Sequence, residues 1–261
     1  MVRLCCRIVG FLLITGVIMT QINDHLVLVC GKSTMGKTTC LRTLRNPEGV
    51  MYLNCENGKR PPYREANKFK MYTITDPFQV HEAFTYAETQ SDVHTIVIDS
   101  LTFLLTMAEK QIVHTAKNPQ KAWGRFQNYI TDLMLDYVAK STKKIIFTAH
   151  TVDQINEAEM VKETFVPVKG SLKAQGIESF FNVIISVKKI KINDLEGINT
   201  PFLNITDRDR DLGYKHCIQS RLTKDTVTER LREPLDMWAE SETFIDSNIQ
   251  IVLDRLNEYY G

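Results

Sequence analysis

The run Gly31-Lys32-Ser33-Thr34-Met35-Gly36-Lys37-Thr38 constrains this chain more than any other feature. It matches G-x-x-x-x-G-K-[ST], follows the apolar stretch Leu26-Val27-Leu28-Val29 and precedes a helix-compatible stretch, Thr39–Arg45. Strand, glycine-bracketed turn and helix in immediate succession require an α/β architecture. Gly31 and Gly36 let the backbone curl so that consecutive N–H groups of residues 32–38 and the positive helix terminus converge on phosphate oxygens. Lys37 then reaches β- and γ-phosphates, and the Thr38 hydroxyl is placed to ligate Mg2+. The expected cofactors are therefore ATP and Mg2+. Lys32 reads either as a loop contact or as surface charge, and Thr39 as a helix residue near the α-phosphate.

Short apolar runs alternate with helix-period segments along the first two thirds of the chain, as in parallel strands joined by crossover helices. Expected strands are His25–Cys30, Val50–Asn54, Lys70–Thr75, His94–Asp99 and Lys144–Thr148. Trp123, Phe126, Ile130, Leu133, Met134, Tyr137 and Val138 recur at three- and four-residue spacing, which predicts an amphipathic helix over Lys121–Lys140. After Phe181 strand-like runs follow without helices between them (Asn182–Lys191, Pro201–Thr206, Lys215–Leu222), then a helix near Ile245–Tyr259. The expectation is an antiparallel extension of a mostly parallel sheet, in a single domain spanning 25–261.

Asp99 ends the buried strand His94-Thr95-Ile96-Val97-Ile98, the form of the acid that holds Mg2+ opposite the loop hydroxyl. Ser100 follows it, so a water-activating carboxylate has to come from elsewhere. Glu56, just past the strand Val50–Asn54, stands on the sheet edge where ligands bind in open α/β sheets. Spacing alone leaves it equally an exposed turn residue in Glu-Asn-Gly.

With 43% hydrophobic and 24% charged residues among 261, the chain can bury one substantial core, and a net charge of +1 announces no global affinity for nucleic acid. Nine acids against Arg230, Arg232 and Arg255 make Asp225–Gly261 locally acidic, which reads as a solvated face. Six cysteines at 5, 6, 30, 40, 55 and 217 show no metal-site spacing and fit reduced thiols in a cytoplasmic setting. Arg3 and Arg7 precede an apolar run, Ile8–Met19, too short to span a bilayer. Residues 1–24 are read as an extension whose natural start is Met19, with no stable membrane association.

The segments Gly31–Thr39, Met51-Tyr52-Leu53-Asn54-Cys55-Glu56, Ile96-Val97-Ile98-Asp99-Ser100-Leu101 and Ile145-Ile146-Phe147-Thr148-Ala149-His150 resemble, in this order, the nucleotide-site elements of RecA-fold recombinases. Within that fold the chain is most similar to the small phage-type single-strand annealing ATPases, which lack large flanking domains. The resemblance implies that Glu56 activates water and that His150 senses the γ-phosphate where RecA has glutamine. It implies a mobile loop over Thr151–Gly170 contacting single-stranded DNA, with Lys162, Lys169 and Lys173 available to phosphates. It also implies a basic finger, Lys189 and Lys191, reaching a neighbouring subunit's nucleotide in a filament or ring. If phage-encoded, such a protein works in the host cytoplasm. The alternatives are a replicative-helicase-type motor, a small-molecule phosphotransferase and a binding module with little turnover. Arg208 and Arg210, interleaved with acids, read as a charged turn rather than a phosphotransferase lid.

Overall fold

The computed structural model describes residues 23–261 except Ser171, so the reading of Met19 as the start lies outside the described residues. In chain order the strands are β1 Leu26–Gly31, β2 Val50–Asn54, β3 Lys70–Thr73, β4 Thr95–Asp99, β5 Lys144–His150, β6 Val152–Asn156, β7 Val161–Phe165, β8 Val183–Lys191, β9 Tyr214–Gln219 and β10 Phe244–Asp246. The helices are α1 Lys37–Cys40, α2 Gln79–Thr89, α3 Leu101–Glu109, α4 Pro119–Asp132, α5 Leu172–Gln175, α6 Ile192–Leu195, α7 Asp207–Leu212 and α8 Ile249–Tyr260.

Eight strands form one sheet in the order β10-β9-β8-β1-β5-β4-β2-β3. The six from β8 to β3 are parallel, and β9 and β10 extend the sheet antiparallel. The central strands are buried on both faces, which explains their near-continuous apolar runs. One face packs Leu28, Leu53, Ile98 and Phe147 against α2, α3 and α4. The other packs Val29, Tyr52, Val97 and Ile185 against α1 and α8.

Register carries this architecture to function. Gly31 stands opposite His150, and Asn54 opposite Asp99. Because all these strands are parallel, their C-terminal ends share one edge, and β5 lies between the phosphate-loop strand β1 and the acid-bearing β4. The expected mostly parallel α/β fold with an antiparallel C-terminal extension is what forms.

Several local expectations need correction. Pro201–Thr206 is not a strand: Pro201 has no N–H to donate, and Thr206 instead caps α7 through a reciprocal box with Asp209. Arg208 and Arg210 therefore lie on a helix, not in a charged turn. The helix expected from Ile245 begins only after Asn248, whose side chain accepts from the Gln250 N–H, because Phe244–Asp246 pairs with β9 as an edge strand. The helix expected over Thr39–Arg45 is a short α-turn, Lys37–Cys40, followed by a 3-10 turn, Leu41–Thr43. Thr151–Gly170 is largely not a loop. Its alternating residues zip β6 and β7 into a separate hairpin with Val152 opposite Phe165, fastened to the rest of the chain by Thr164 and Arg230 backbone hydrogen bonds.

The helix over Lys121–Lys140 forms as α4, capped by Asn118, and continues as a π-type helix over Leu133–Val138. The acidic C-terminal segment is partly paired within the fold, while Asp225, Asp236 and Glu240 stay exposed. Asp254 pairs with Arg45, Asp246 with Lys215, Glu242 with Arg255, Glu233 with Arg221 and Glu229 with Lys188. Among the described residues no helix is long and apolar enough to cross a membrane.

Candidate functional site

The loop after β1 is built on two glycines for different reasons. A Cβ on Gly31 would stand 2.8 Å from the Val187 carbonyl oxygen, a backbone atom that cannot yield, and φ is +155°. Gly36 adopts φ +102° at the mouth of α1 and also lies against the His216 ring. Both positions therefore exclude side chains on steric grounds.

Lys37 is only 6% exposed, and its ammonium donates to the Gly31 and Lys32 carbonyls, each at 2.9 Å. In this state the ammonium bonds to the loop's own backbone. Burial pushes it below the ordinary lysine value, against the opposing fields of Asp99 and Glu56. Any anion entering the loop supplies the counter-charge that these neutral carbonyls lack.

Asp99, 4% exposed, gathers three hydroxyl donors. Thr38 Oγ1 donates to Oδ2 at 2.9 Å, the Tyr52 hydroxyl donates to the same oxygen, and Thr148 Oγ1 donates to Oδ1. Burial, then the Asp99 charge, pushes the Tyr52 phenol far up, so it is a neutral donor throughout the physiological range. An aliphatic hydroxyl and a carboxylate held this close are hard oxygen donors of the kind Mg2+ prefers, with room left for water and phosphate ligands. The residues therefore fit that ion.

Glu56 comes to the same cleft from the end of β2. Its Oε1 lies 3.5 Å from His150 Nε2, while His150 Nδ1 lies 3.2 Å from the Lys37 ammonium. An ammonium can only donate, so Nδ1 accepts and Nε2 carries the proton toward Glu56. The hydrogen bond from His150 holds the Glu56 carboxyl below the ordinary value, against the effect of burial and helped by Lys59 and Lys37. The His150 amide donates to Thr102 Oγ1 at 2.9 Å, which fixes the end of β5. Loop lysine, imidazole and carboxylate thus form one connected chain, and with Thr38 and Asp99 they line a cleft of about 260 Å3.

Lys32, Ser33, Thr34, Met35 and Thr39 complete or border the loop, as the sequence suggests. Lys32 is distinctive: its ammonium pairs with Asp153 of β6 at 2.5 Å, joining the phosphate loop to the hairpin. The remaining lysines stand apart from the cleft. Lys162 lies 3.7 Å from Asp153, and Lys169 pairs with Glu109 at 2.8 Å. Lys173 borders a hollow beneath the hairpin with Phe165 and Arg230, whose guanidinium sits 5.0 Å from the Phe165 ring centre. Lys189 lies over the Tyr214 ring, Lys191 is exposed, and Lys188 is committed to Glu229 at 2.6 Å.

Sequence reasoning missed Tyr52, Thr148, Asp153 and His216. For the first two the signal was available, since each is a hydroxyl in an otherwise apolar central strand. Asp153 and His216 reach the loop only through tertiary packing.

A phosphate loop on a mostly parallel sheet, with a buried acid facing the loop hydroxyl, defines a phosphate-loop nucleoside triphosphatase. The sequence matches the AAA domain family over residues 24–219, and the chain belongs to that family of nucleotide-binding ATPases. No curated protein matches it.

Proposed function

We propose that this protein hydrolyses ATP with Mg2+ at the Gly31–Thr38 loop and uses the cycle to control its hold on single-stranded DNA, in annealing or strand exchange. The observation that carries the ATPase reading is the convergence of Lys37, Thr38, Asp99, Glu56 and His150, from four chain segments, on one cleft. Lys37 exchanges its carbonyl partners for β- and γ-phosphate oxygens. Thr38 and Asp99 hold the metal, which when bound neutralises phosphate charge. Glu56, kept ionised and aimed by His150, accepts hydrogen bonds from the attacking water and takes its proton. His150 contacts both Glu56 and the lysine that meets the γ-phosphate, so it is placed to report whether that phosphate is present.

Support for the DNA reading comes from the hairpin. It begins two residues after His150 and is pinned to the loop through Lys32 and Asp153, so changes at the γ-phosphate have a short mechanical path to it. Phe165, Arg230, Lys173, Lys169 and Lys162 on and beside it offer a ring and cations of the kind that hold single strands. Lys189 and Lys191 at the end of β8 are candidates to reach a neighbouring copy, which makes a filament or ring the expected assembly. The setting we assign is the cytoplasm, a host's if the gene is a phage's.

The test is ATP turnover with and without single-stranded DNA at low and moderate salt, with Lys37→Ala as the blank. Stimulation that fades as salt rises is expected, because cations bound to DNA phosphates release counterions. Robust turnover indifferent to DNA removes the annealing reading and leaves the ATPase; strand displacement on a fork would favour a helicase.

A further inference from the structure

Glu56 stands in the cleft on slender side-chain support. Its carboxylate has two basic neighbours, His150 Nε2 at 3.5 Å and the Lys59 ammonium at 3.9 Å, and neither contact has the length of a firm hydrogen bond. Where the carboxylate lies is therefore decided mainly by where the backbone of residue 56 is held. That backbone belongs to a tight turn. The Lys59 N–H donates to the Glu56 carbonyl at 3.0 Å, and the two residues between them, Asn57 at φ +54° and Gly58 at φ +73°, are both left-handed. Two successive positive φ values are what an Asn-Gly pair supplies in a two-residue hairpin turn. The internal bond fixes the shape of the turn but not its angle to the strand it leaves.

Asn54, the last residue of β2, fixes that angle. Its side chain is 2% exposed and uses both halves of its amide: Oδ1 accepts from the Glu56 N–H at 3.0 Å, and Nδ2 donates to the Lys59 carbonyl at 2.8 Å. One planar group thereby ties the entering and leaving arms of the turn to the end of the strand. An amide does both at once, whereas an ionised carboxylate only accepts and an apolar side chain does neither. The strand end is in turn anchored on both sides. Asn54 stands opposite Asp99 in register, the Cys55 N–H donates to the Asp99 carbonyl at 2.7 Å, and the Asn54 carbonyl accepts from the Ile74 N–H at 2.9 Å. Glu56 is thus tied to Asp99 through one backbone bond and one buried amide.

We propose that Asn54 is a positioning residue for ATP hydrolysis: by clamping the turn from Glu56 to Lys59 it sets where the Glu56 carboxylate meets the attacking water. This rests on the reading of Glu56 as the base and adds to it the residue that places that base. Asn54 does not line the cleft, so its effect falls on turnover and not on the hold on nucleotide. Misplacing a reacting group by about 1 Å can cost about 10²-fold in rate.

The test is a double-mutant cycle in the full chain: kcat at saturating Mg2+ and ATP, beside calorimetric ATP affinity, for Asn54→Ala, Glu56→Gln and the two combined, at a temperature where circular dichroism shows each folded. Asn54→Ala is expected to lower kcat about tenfold or more with ATP affinity within about twofold. Added to Glu56→Gln it should lower the residual turnover by less than about twofold, because a group that acts only through Glu56 then has no base left to place. Asn54→Ser, whose hydroxyl still accepts from the Glu56 N–H but is too short for the Lys59 carbonyl, should recover part of the loss, and it carries the same comparison if the alanine variant unfolds. A kcat within about twofold of the unaltered protein in every folded Asn54 variant, beside a slow Glu56→Gln, overturns the positioning role and leaves Glu56 as the base. Equal losses from the Asn54 change with and without the Glu56 carboxylate also overturn it, since the amide would then serve the fold alone. So does an ATP affinity that falls as far as kcat. Full turnover in Glu56→Gln overturns the reading of Glu56, and the role of Asn54 with it.

Discussion

Removing one oxygen atom, in Tyr52→Phe, isolates how much the cleft depends on a donor that no motif contains. Tyr52 is 1% exposed, and its hydroxyl donates to Asp99 Oδ2, so the change strips a hydrogen bond from a buried carboxylate without removing the ring that packs in the core. Hydrogen bonds to charged groups contribute about 1.5–3 kcal/mol. Thr38 still donates to the same oxygen at 2.9 Å and Thr148 to the other, so the low end applies, about 1.5–2 kcal/mol. At roughly 2–4 °C per kcal/mol for a domain of this size, Tm should fall by about 3–8 °C. The assay is thermal unfolding followed by circular dichroism, in chelator and without nucleotide. The loss should be accompanied by a higher Mg2+ requirement for nucleotide binding, because a less firmly held Asp99 orients its free lone pairs less well. A Tm within about 1 °C of the unaltered protein would mean that Tyr52 contributes only its ring and that its hydrogen bond to Asp99 adds nothing to stability.

Two further consequences are open to direct measurement. Glu56 is depressed below the ordinary glutamate value of 4.5, chiefly by the His150 hydrogen bond, so it stays ionised at and above that pH and protonates only below it. The acid limb of kcat/KM should accordingly lie under about pH 4.5 and shift upward in His150→Ala; an acid limb that does not respond to His150 would dissociate the pair. Asp153→Ala should release the hairpin from Lys32 and speed amide exchange over β6 and β7, with a stability change below about 1 kcal/mol because the pair is partly exposed. Unchanged hairpin exchange would show that its other ties, the backbone bonds of Thr164 and Arg230 and the Thr228 hydroxyl on the Lys162 carbonyl, hold it without Asp153.

The fold was legible because its central strands are buried on both faces, so apolar runs at β1, β2, β4 and β5 stand out against the helical periods between them. The loop was legible for a stricter reason: φ +102° at Gly36 and the Val187 carbonyl against Gly31 leave no residue but glycine. Asp99 and Glu56 could be placed because parallel strands bring their C-terminal ends to one edge. The errors fall where tertiary pairing overrides local pattern. Phe244–Asp246 has a helical neighbourhood but pairs with β9, and Pro201–Thr206 reads as a strand until Thr206 and Asp209 close a capping box. The contacts of Asp153 and His216 with the loop span 121 and 181 residues of sequence, beyond any local signal.

The central question is whether Glu56 activates water in an otherwise intact nucleotide site. The measurement is phosphate release by Glu56→Gln beside its equilibrium affinity for Mg2+ and ATP, with Lys37→Ala as the variant that loses binding. If Glu56 is that group, ATP affinity stays within about twofold of the unaltered protein and turnover falls by about 10² or more, the usual range for loss of a general base. Unchanged turnover in Glu56→Gln, with ATP bound normally, would remove Glu56 from the reaction.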